Sequence, residues 1–333
     1  MRMGTGRPIV PLHPAAGSLL AIGLEVSADH VTCLGLDLAG GTLFRRTEYL
    51  QVSTVTPQQT IDLCAEMIGQ AREEAPHLPV VGAVAAVPGR IVPEDGRVLS
   101  APNLGWTQVP FVGLLREHGA LQGIDLRAQN DNRLSVLTEL DRRPGASFIY
   151  IRGYRGVGGA VVLNGELLDG ERGWAGEFGH TVVQPDGALC RCGRRGCLEA
   201  YISHHSLREQ AGLGADVLID ELVDALAVSS DRAEVIGTIG RALGLAVANA
   251  LNVLDVSTVV GYLAPIAEEI TPIVQETVNR HALAAEAGPI TIERSDDLDD
   301  PALQGAARAA LEPVLREPGP WIDRVSGAAH REA

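Results

Sequence analysis

The sequence predicts an α/β protein built from two related lobes. Three short β-like runs near the start lead into alternating helix and strand patterns, and a similar set begins again with a hairpin at residue 148. The 333 residues suffice for one large or two moderate domains with ample core. Hydrophobic residues make up 46% of the chain and aromatic ones 4%, so Ala, Val, Leu and Ile must fill that core.

Residues 1–17, with Gly6-Arg7-Pro8 and further prolines at 11 and 14, read as an extended linker. Residues 21–26, 30–37 and 43–50 are β-like runs parted by turn chemistry that includes Gly40-Gly41. Pro57 opens a helix to about residue 75, with proline in its first turn and apolar residues at helical spacing. Residues 80–87 form a continuous apolar run, as a buried central strand does. A short helix at 110–118, a strand at 126–130 and a helix from Asp131 to about 142 follow, and the first lobe is placed at 18–140. The second lobe, 141–316, starts with strands at 148–151 and 157–163 and an Asn164-Gly165 pair suited to a type I′ turn. Helices are expected at 203–211, 215–228, 232–253, 264–285 and 301–316, with strands at 258–261 and 290–293 between the last three. The last helix is in a position to pack back on the first lobe, and the tail 317–333 is expected to fray.

A net charge of −15 argues against a bare nucleic-acid-binding surface, because neutralising phosphates needs clustered cations. All 27 basic residues are Arg, so Schiff-base and phosphate-loop lysine chemistry is excluded. No apolar run reaches spanning length and no signal-peptide core is visible, so the protein is read as cytoplasmic, with no membrane partner. Cys33 and Cys64 fall in apolar stretches, where thiols are buried and inert.

The other cysteines cluster. His180, Cys190, Cys192 and Cys197 lie within 18 residues, spaced His-x9-Cys-x-Cys-x4-Cys. Three thiolates and one imidazole complete the tetrahedral shell of a structural Zn²⁺, with no open position for an activated water. Clustering favours metal over disulfides and a reducing compartment. Glu177 and Glu199 bracket the shell, either as solvated loop acids or as ligand-reading groups held by the metal loop.

Several motifs occur in order: Val87-Pro88-Gly89-Arg90-Ile91, Ala101-Pro102-Asn103-Leu104-Gly105-Trp106, Asn130-Asp131, Gly156-Val157-Gly158-Gly159, Glu177-Phe178-Gly179-His180, and the Cys190 to Ala200 block. Together they resemble the ROK family (repressor, open reading frame, kinase) over roughly residues 18–315. The resemblance implies a two-lobed, actin-like ATPase fold of the ribonuclease-H type, with a zinc-binding loop at 177–199 in the second lobe and a sugar in the cleft. It also implies sugar contacts at Asn103, Asp131, Glu177, His180 and Glu199. His180 would then give one ring nitrogen to zinc and the other to a sugar hydroxyl. Read by itself, Asp131 is also a plain first-turn helix acid, Asn103 a turn residue, and Trp106 core.

The family contains ATP-dependent sugar kinases and sugar-responsive repressors, and the departures here point to the latter. Where the kinases have Asp-x-Gly-Gly-Thr after the first strand, this chain has Glu25-Val26-Ser27-Ala28-Asp29, and Asp29 would repel phosphate. A second Gly-Thr pair is replaced by Tyr154-Arg155, and a late glycine turn is reduced to Val259-Val260-Gly261-Tyr262. ATP and Mg²⁺ are therefore not expected as cofactors. Where the family reads Asn-Asp-Ala-Asn, this chain has Asn130-Asp131-Asn132-Arg133, and Arg133 is a departure placed to pair with Asp131 or reshape the pocket. The linker resembles the one that joins a winged helix-turn-helix to the sugar lobe in the repressors. The chain thus reads as the sugar-sensing effector part of a ROK regulator, binding a hexose or hexose derivative, a homodimer or homotetramer, with no DNA binding of its own unless a DNA-binding segment precedes it. The alternative is an ATP-dependent sugar kinase with Asp131 as general base.

Overall fold

The computed structural model describes residues 14–153, 156–210, 213–214, 221–222, 224–225, 229–262, 266–295 and 300–329. The expectations for linker residues 1–13, for Tyr154-Arg155, for most of the helix at 215–228 and for 330–333 lie outside the described residues.

Two five-stranded sheets share one topology. In the first, β1 (Leu20–Val26), β2 (His30–Leu36) and β3 (Thr42–Tyr49) form an antiparallel meander, and β4 (Val80–Val87) and then β8 (Leu126–Asn130) add parallel on the other side of β1. In the second, β9 (Phe148–Gly153), β10 (Val157–Leu163) and β11 (Glu166–Leu167) are antiparallel, with β12 (Thr258–Tyr262) and β13 (Thr291–Arg294) parallel beyond β9. The Asn164-Gly165 turn joins β10 to β11, and both residues have positive φ, 54° and 79°, as a type I′ turn requires. A small third sheet, β5 (Arg90–Ile91), β6 (Val98–Ala101) and β7 (Trp106–Val109), sits between β4 and β8 in the chain. Trp106 is buried there against Phe111.

Helix α1 (Pro57–Glu74) shows why the pattern folds as it does. Thr56 and Gln59 form a reciprocal capping box, proline opens the first turn, and Ile61, Cys64, Ala65 and Ile68 form the buried stripe. Burial raises the pKa of both Cys33 and Cys64, which keeps these thiols protonated and inert. The remaining helices are α2 (Phe111–Arg116), α3 (Asp131–Leu140), α4 (Glu199–Ile202), α5 (His204–Gln210), α6 (Arg232–Leu254), α7 (Ala267–His281), α8 (Ala284–Ala287), α9 (Pro301–Arg316) and α10 (Gly319–Ala329), among the described residues.

Helix α9 lies on the first sheet, against β1, β4 and α3. Its face is Ala302, Gly305, Ala306, Ala307, Ala309 and Ala310, all buried, which lets backbones approach closely. A Cβ on Gly23 of β1 would sit 2.6 Å from the Ala307 nitrogen. At the junction between the two sheets, buried Glu139 of α3 accepts from the Ser295 hydroxyl at 2.6 Å and pairs with Arg143, which also meets Glu293 at 2.6 Å.

Two expectations are corrected. The tail is not frayed throughout, since Gly319–Ala329 is helical and its Trp321 and Val325 pack on the cluster beneath α9. Their i, i+4 spacing after Pro320 supplies a helical stripe. Helix α6 is long and apolar enough to cross a bilayer by length and composition. Its apolar surface instead serves as core: Gly240 and Gly244 lie against Ile273 and Thr277 of α7.

Candidate ligand cleft and metal cluster

The C-terminal ends of β1, β4, β8 and β9 open on one cleft of about 480 Å³, where strand ends of open α/β sheets commonly place ligands. Asn130 organises one wall. As N-cap of α3, its Oδ1 accepts from the N–H groups of Asn132 and Arg133 at 2.9 and 3.2 Å, while its Nδ2 donates to the Gly89 carbonyl at 2.9 Å. One side chain thus caps the helix and ties it to the turn after β4. Asn130→Ala is expected to cost about 1–2 kcal/mol, seen as a lowered midpoint in a urea melt; an unchanged midpoint would contradict that role.

Asp131 follows at the first position of α3. Asn132 Nδ2 donates to its Oδ1 at 3.0 Å, and Arg152 Nη1 stands 3.9 Å from its Oδ2. Burial pushes its pKa up, while the Arg152 guanidinium and the Asn132 backbone N–H pull it back. Arg133 does not pair with Asp131. It reaches Asp169 at 2.7 Å, binding α3 to the segment after β11.

The metal-type residues converge. The ligand atoms of His180, Cys190, Cys192 and Cys197 all lie within 4.8 Å of one another. The Cys192–Cys197 sulfur separation is 3.8 Å, about the ~3.8 Å edge of a tetrahedron with ~2.3 Å Zn–S bonds. His180 Nδ1 lies 3.9 Å from Cys190 Sγ. The loop is shaped by backbone bonds: Cys190 N–H to Arg194 O at 2.8 Å, Gly193 N–H to Cys190 O at 2.9 Å, and Val183 N–H to Gly196 O at 2.8 Å. Gly196, at φ +77°, has no room for a side chain, since a Cβ would lie 1.8 Å from the Gln184 carbonyl oxygen. The four side chains therefore form a cluster able to hold a metal ion.

The bracketing acids adjoin this cluster. With Nδ1 toward the sulfurs, His180 turns Nε2 toward Glu177, 3.6 Å from its Oε2. Burial raises the pKa of Glu177 while His180 and Arg90 lower it. Glu199, the first residue of α4, accepts from the Val157 N–H at 2.9 Å through Oε2, and its Oε1 lies 4.0 Å from Cys190 Sγ. Asn103, in the turn after β6, accepts from Arg191 at 3.3 Å. Asn103, Asp131, Glu177, His180 and Glu199 all line the one cleft.

The turn between β1 and β2 closes on itself. Ser27 donates its hydroxyl to Asp29 at 3.2 Å and its N–H to the His30 carbonyl at 2.9 Å, and His30 Nδ1 meets the same Asp29 oxygen at 2.9 Å. That contact with Asp29 is the main reason the His30 pKa is raised. Gly158 and Gly159 serve close packing: a Cβ would lie 2.2 Å from Asn132 Nδ2 and 2.3 Å from the Tyr150 carbonyl oxygen, respectively.

Sequence reasoning missed Glu25, Arg152 and Trp174, which line the same cleft. Trp174 donates its indole N–H to the Ile91 carbonyl at 3.0 Å, with the Arg90 and Arg172 guanidinium carbons 5.6 and 5.7 Å from its ring centroid. An arginine closing the apolar run Phe148–Ile151 was the available hint for Arg152.

Comparison with known proteins agrees with this architecture. The chain is 27% identical over 212 residues to a xylose repressor of Caldicellulosiruptor bescii, covering 61% of this chain and 51% of that protein. It is 36% identical over 166 residues to a glucokinase of Thermotoga maritima, covering 49% of this chain and 50% of that protein. The match thus spans about half the length of each of these curated relatives. Among solved structures, a ROK family transcriptional regulator homologous to the E. coli MLC protein superposes with a TM-score of 0.76 at 21% identity, over 92% of this chain and 81% of that one. The fold is the mixed α/β, actin-like fold of that group. Residues 21–312 match the ROK family model, and the chain belongs to the ROK family.

Proposed function

We propose that this chain is the sugar-sensing part of a ROK transcriptional regulator, which binds a hexose or hexose derivative in its cleft without phosphorylating it. The observation that carries the reading is the turn between β1 and β2. Its hydroxyl and one of its N–H groups are satisfied internally, and the Asp29 carboxylate stands in it. A phosphate cradle needs free backbone N–H groups aimed at the anion, and this turn lacks the glycines that present them while adding the Asp29 carboxylate. The likeness to a xylose repressor supports the same reading.

The cleft suits a sugar. Asn103, Asp131, Glu177, His180 and Glu199 offer the mixed donors and acceptors that hydroxyls take in fixed geometry. A sugar that binds the closed arrangement of the two sheets better than the open one shifts their equilibrium, and that differential affinity is the switch. In this reading the Cys/His cluster holds Zn²⁺, which supplies rigidity: it fixes the His180 ring so that Nε2 stays on the ligand side. The assembly is a homodimer or homotetramer in the cytoplasm.

Thermal melting with a panel of hexoses, pentoses and their derivatives tests this. A rise in Tm of several degrees with at least one sugar is expected, since ligand at about 100 times Kd stabilises by about 2.7 kcal/mol. No shift with any sugar would count against it. A second reading, sugar kinase, is favoured by one feature: Asp131, half-buried on the cleft wall with its pKa raised by desolvation, is placed as a general base would be. The likeness to a glucokinase agrees with it. Coupled ADP release separates the two. No sugar-dependent release is expected; turnover abolished by Asp131→Asn would establish the kinase.

A further inference from the structure

The cleft, about 480 Å³, is lined by polar groups beyond those already assigned to a sugar. At one end Asn103 and Glu199 meet over Gly156, where an added Cβ would lie 3.1 Å from Asn103 Nδ2 and 2.8 Å from Glu199 Oε2. Gly158 lies against Asn132 and pairs across the strand with Arg152. Extended chain rises about 3.3 Å per residue, so this second set of polar groups stands ~7 Å farther along. Glu25, at the C-terminal end of β1, lines the cleft as well. It is 8% exposed, and its Oε2 is buried without a hydrogen-bond partner among the described residues.

A buried polar atom left unpaired costs about 1–3 kcal/mol, and most buried polar groups have a partner; Oε2 lies just behind the cleft surface that Glu25 helps to line. The group this end recognises is not a phosphate. Two acids, Glu25 and Asp131, share the neighbourhood of Arg152, so the guanidinium's charge is already opposed. Burial raises the pKa of Glu25, with Arg152 opposing. A carboxyl accepts from hydroxyls when ionised and can also donate to one when protonated, so it suits a hydroxyl in either state.

We propose that this end of the cleft is a second sugar subsite and that the ligand is a disaccharide. One ring lies against Asn103, Glu177, His180 and Glu199; the other is read by Glu25, with Asn132 and Arg152 beside it. Asp131 stands where the two rings join. This rests on the sugar-sensing reading and names the class of sugar.

Calorimetric titration of the metal-loaded chain tests it, with glucose, xylose and N-acetylglucosamine against maltose, cellobiose, sucrose and chitobiose. At least one disaccharide is expected to bind about tenfold more tightly than its component monosaccharides, the worth of one or two net hydrogen bonds. Glu25→Ala removes that advantage and leaves monosaccharide affinity unchanged, whereas Glu25→Gln, with a donor and an acceptor, retains most of it. If monosaccharides bind and no disaccharide binds more tightly, the second subsite falls and the sugar-sensing reading stands. If Glu25→Ala weakens both classes equally, the second subsite falls likewise. If no sugar of either kind binds to the wild-type chain, both fall.

Discussion

Replacing Cys197 with Ser, or stripping the metal with a chelator, is expected to abolish metal retention and to weaken sugar binding by about 10–100-fold. Cys197 is fully buried, and its segment pairs with Val182 on the opposite side of the loop. The next residue, Leu198, donates to the Thr181 carbonyl at 2.9 Å, and Glu199 follows at the start of α4. Glu177 immediately precedes the short 3₁₀ turn Phe178–His180 that carries His180. Both cleft-lining acids are thus placed by chain that a metal held in the cluster would cross-link, and neither has a long helix of its own to hold it. Structural zinc contributes about 10–16 kcal/mol in peptides that fold only around it. Here the loop also packs through Cys190, Cys197 and Ala200, so the loss should be local and the sheets should survive. Metal analysis with calorimetric titration decides the matter. A metal-free chain that binds sugar with unchanged affinity would show that the cluster does not order the cleft.

The second large effect concerns packing. Gly305→Val is expected to destabilise the fold by at least about 3 kcal/mol. A Cβ at Gly305 would stand 1.8 Å from the Leu134 carbonyl oxygen of α3. The obstacle is backbone, which cannot rotate aside as a side-chain tip can. Relief requires α9 to move off α3, and that opens the contact between Gly23 and Ala307. Gly288→Ala serves as control, since its surroundings hold nothing within 4 Å, and it should stay within about 0.5 kcal/mol of the parent. Urea denaturation compares the two. A Gly305→Val midpoint equal to that of the control would mean that α9 is not seated as described.

Where the sequence could be read, it was because one element carried its own pattern. The apolar run at Val80–Val87, the proline that opens the helix at Pro57 and the Asn164-Gly165 turn each encode their structure within a few residues. The sheet at Arg90–Val109 escaped because its strands are two to four residues long, too short for a period of two to register. The site divides in the same way. His180, Cys190, Cys192 and Cys197 are close in sequence, so spacing alone announces them. Arg152 on Asp131, Arg133 on Asp169 and Trp174 on Ile91 are contacts between distant segments, and a lone Arg or Trp carries no mark of its eventual partner.

The route of the chain bears on how the molecule moves. It leaves the first sheet after α3 and returns to it in α9, so the second sheet is spliced into the first unit and tied to it at two crossings. The Glu139–Ser295 and Arg143–Glu293 contacts clasp those crossings together. Two tethers pinned side by side act as a door hinge and forbid a free swivel. In the proposed sensing cycle, closure of the cleft would then be rotation about one axis, and a single distance across it, such as Trp174 to Ile91, would track the whole motion.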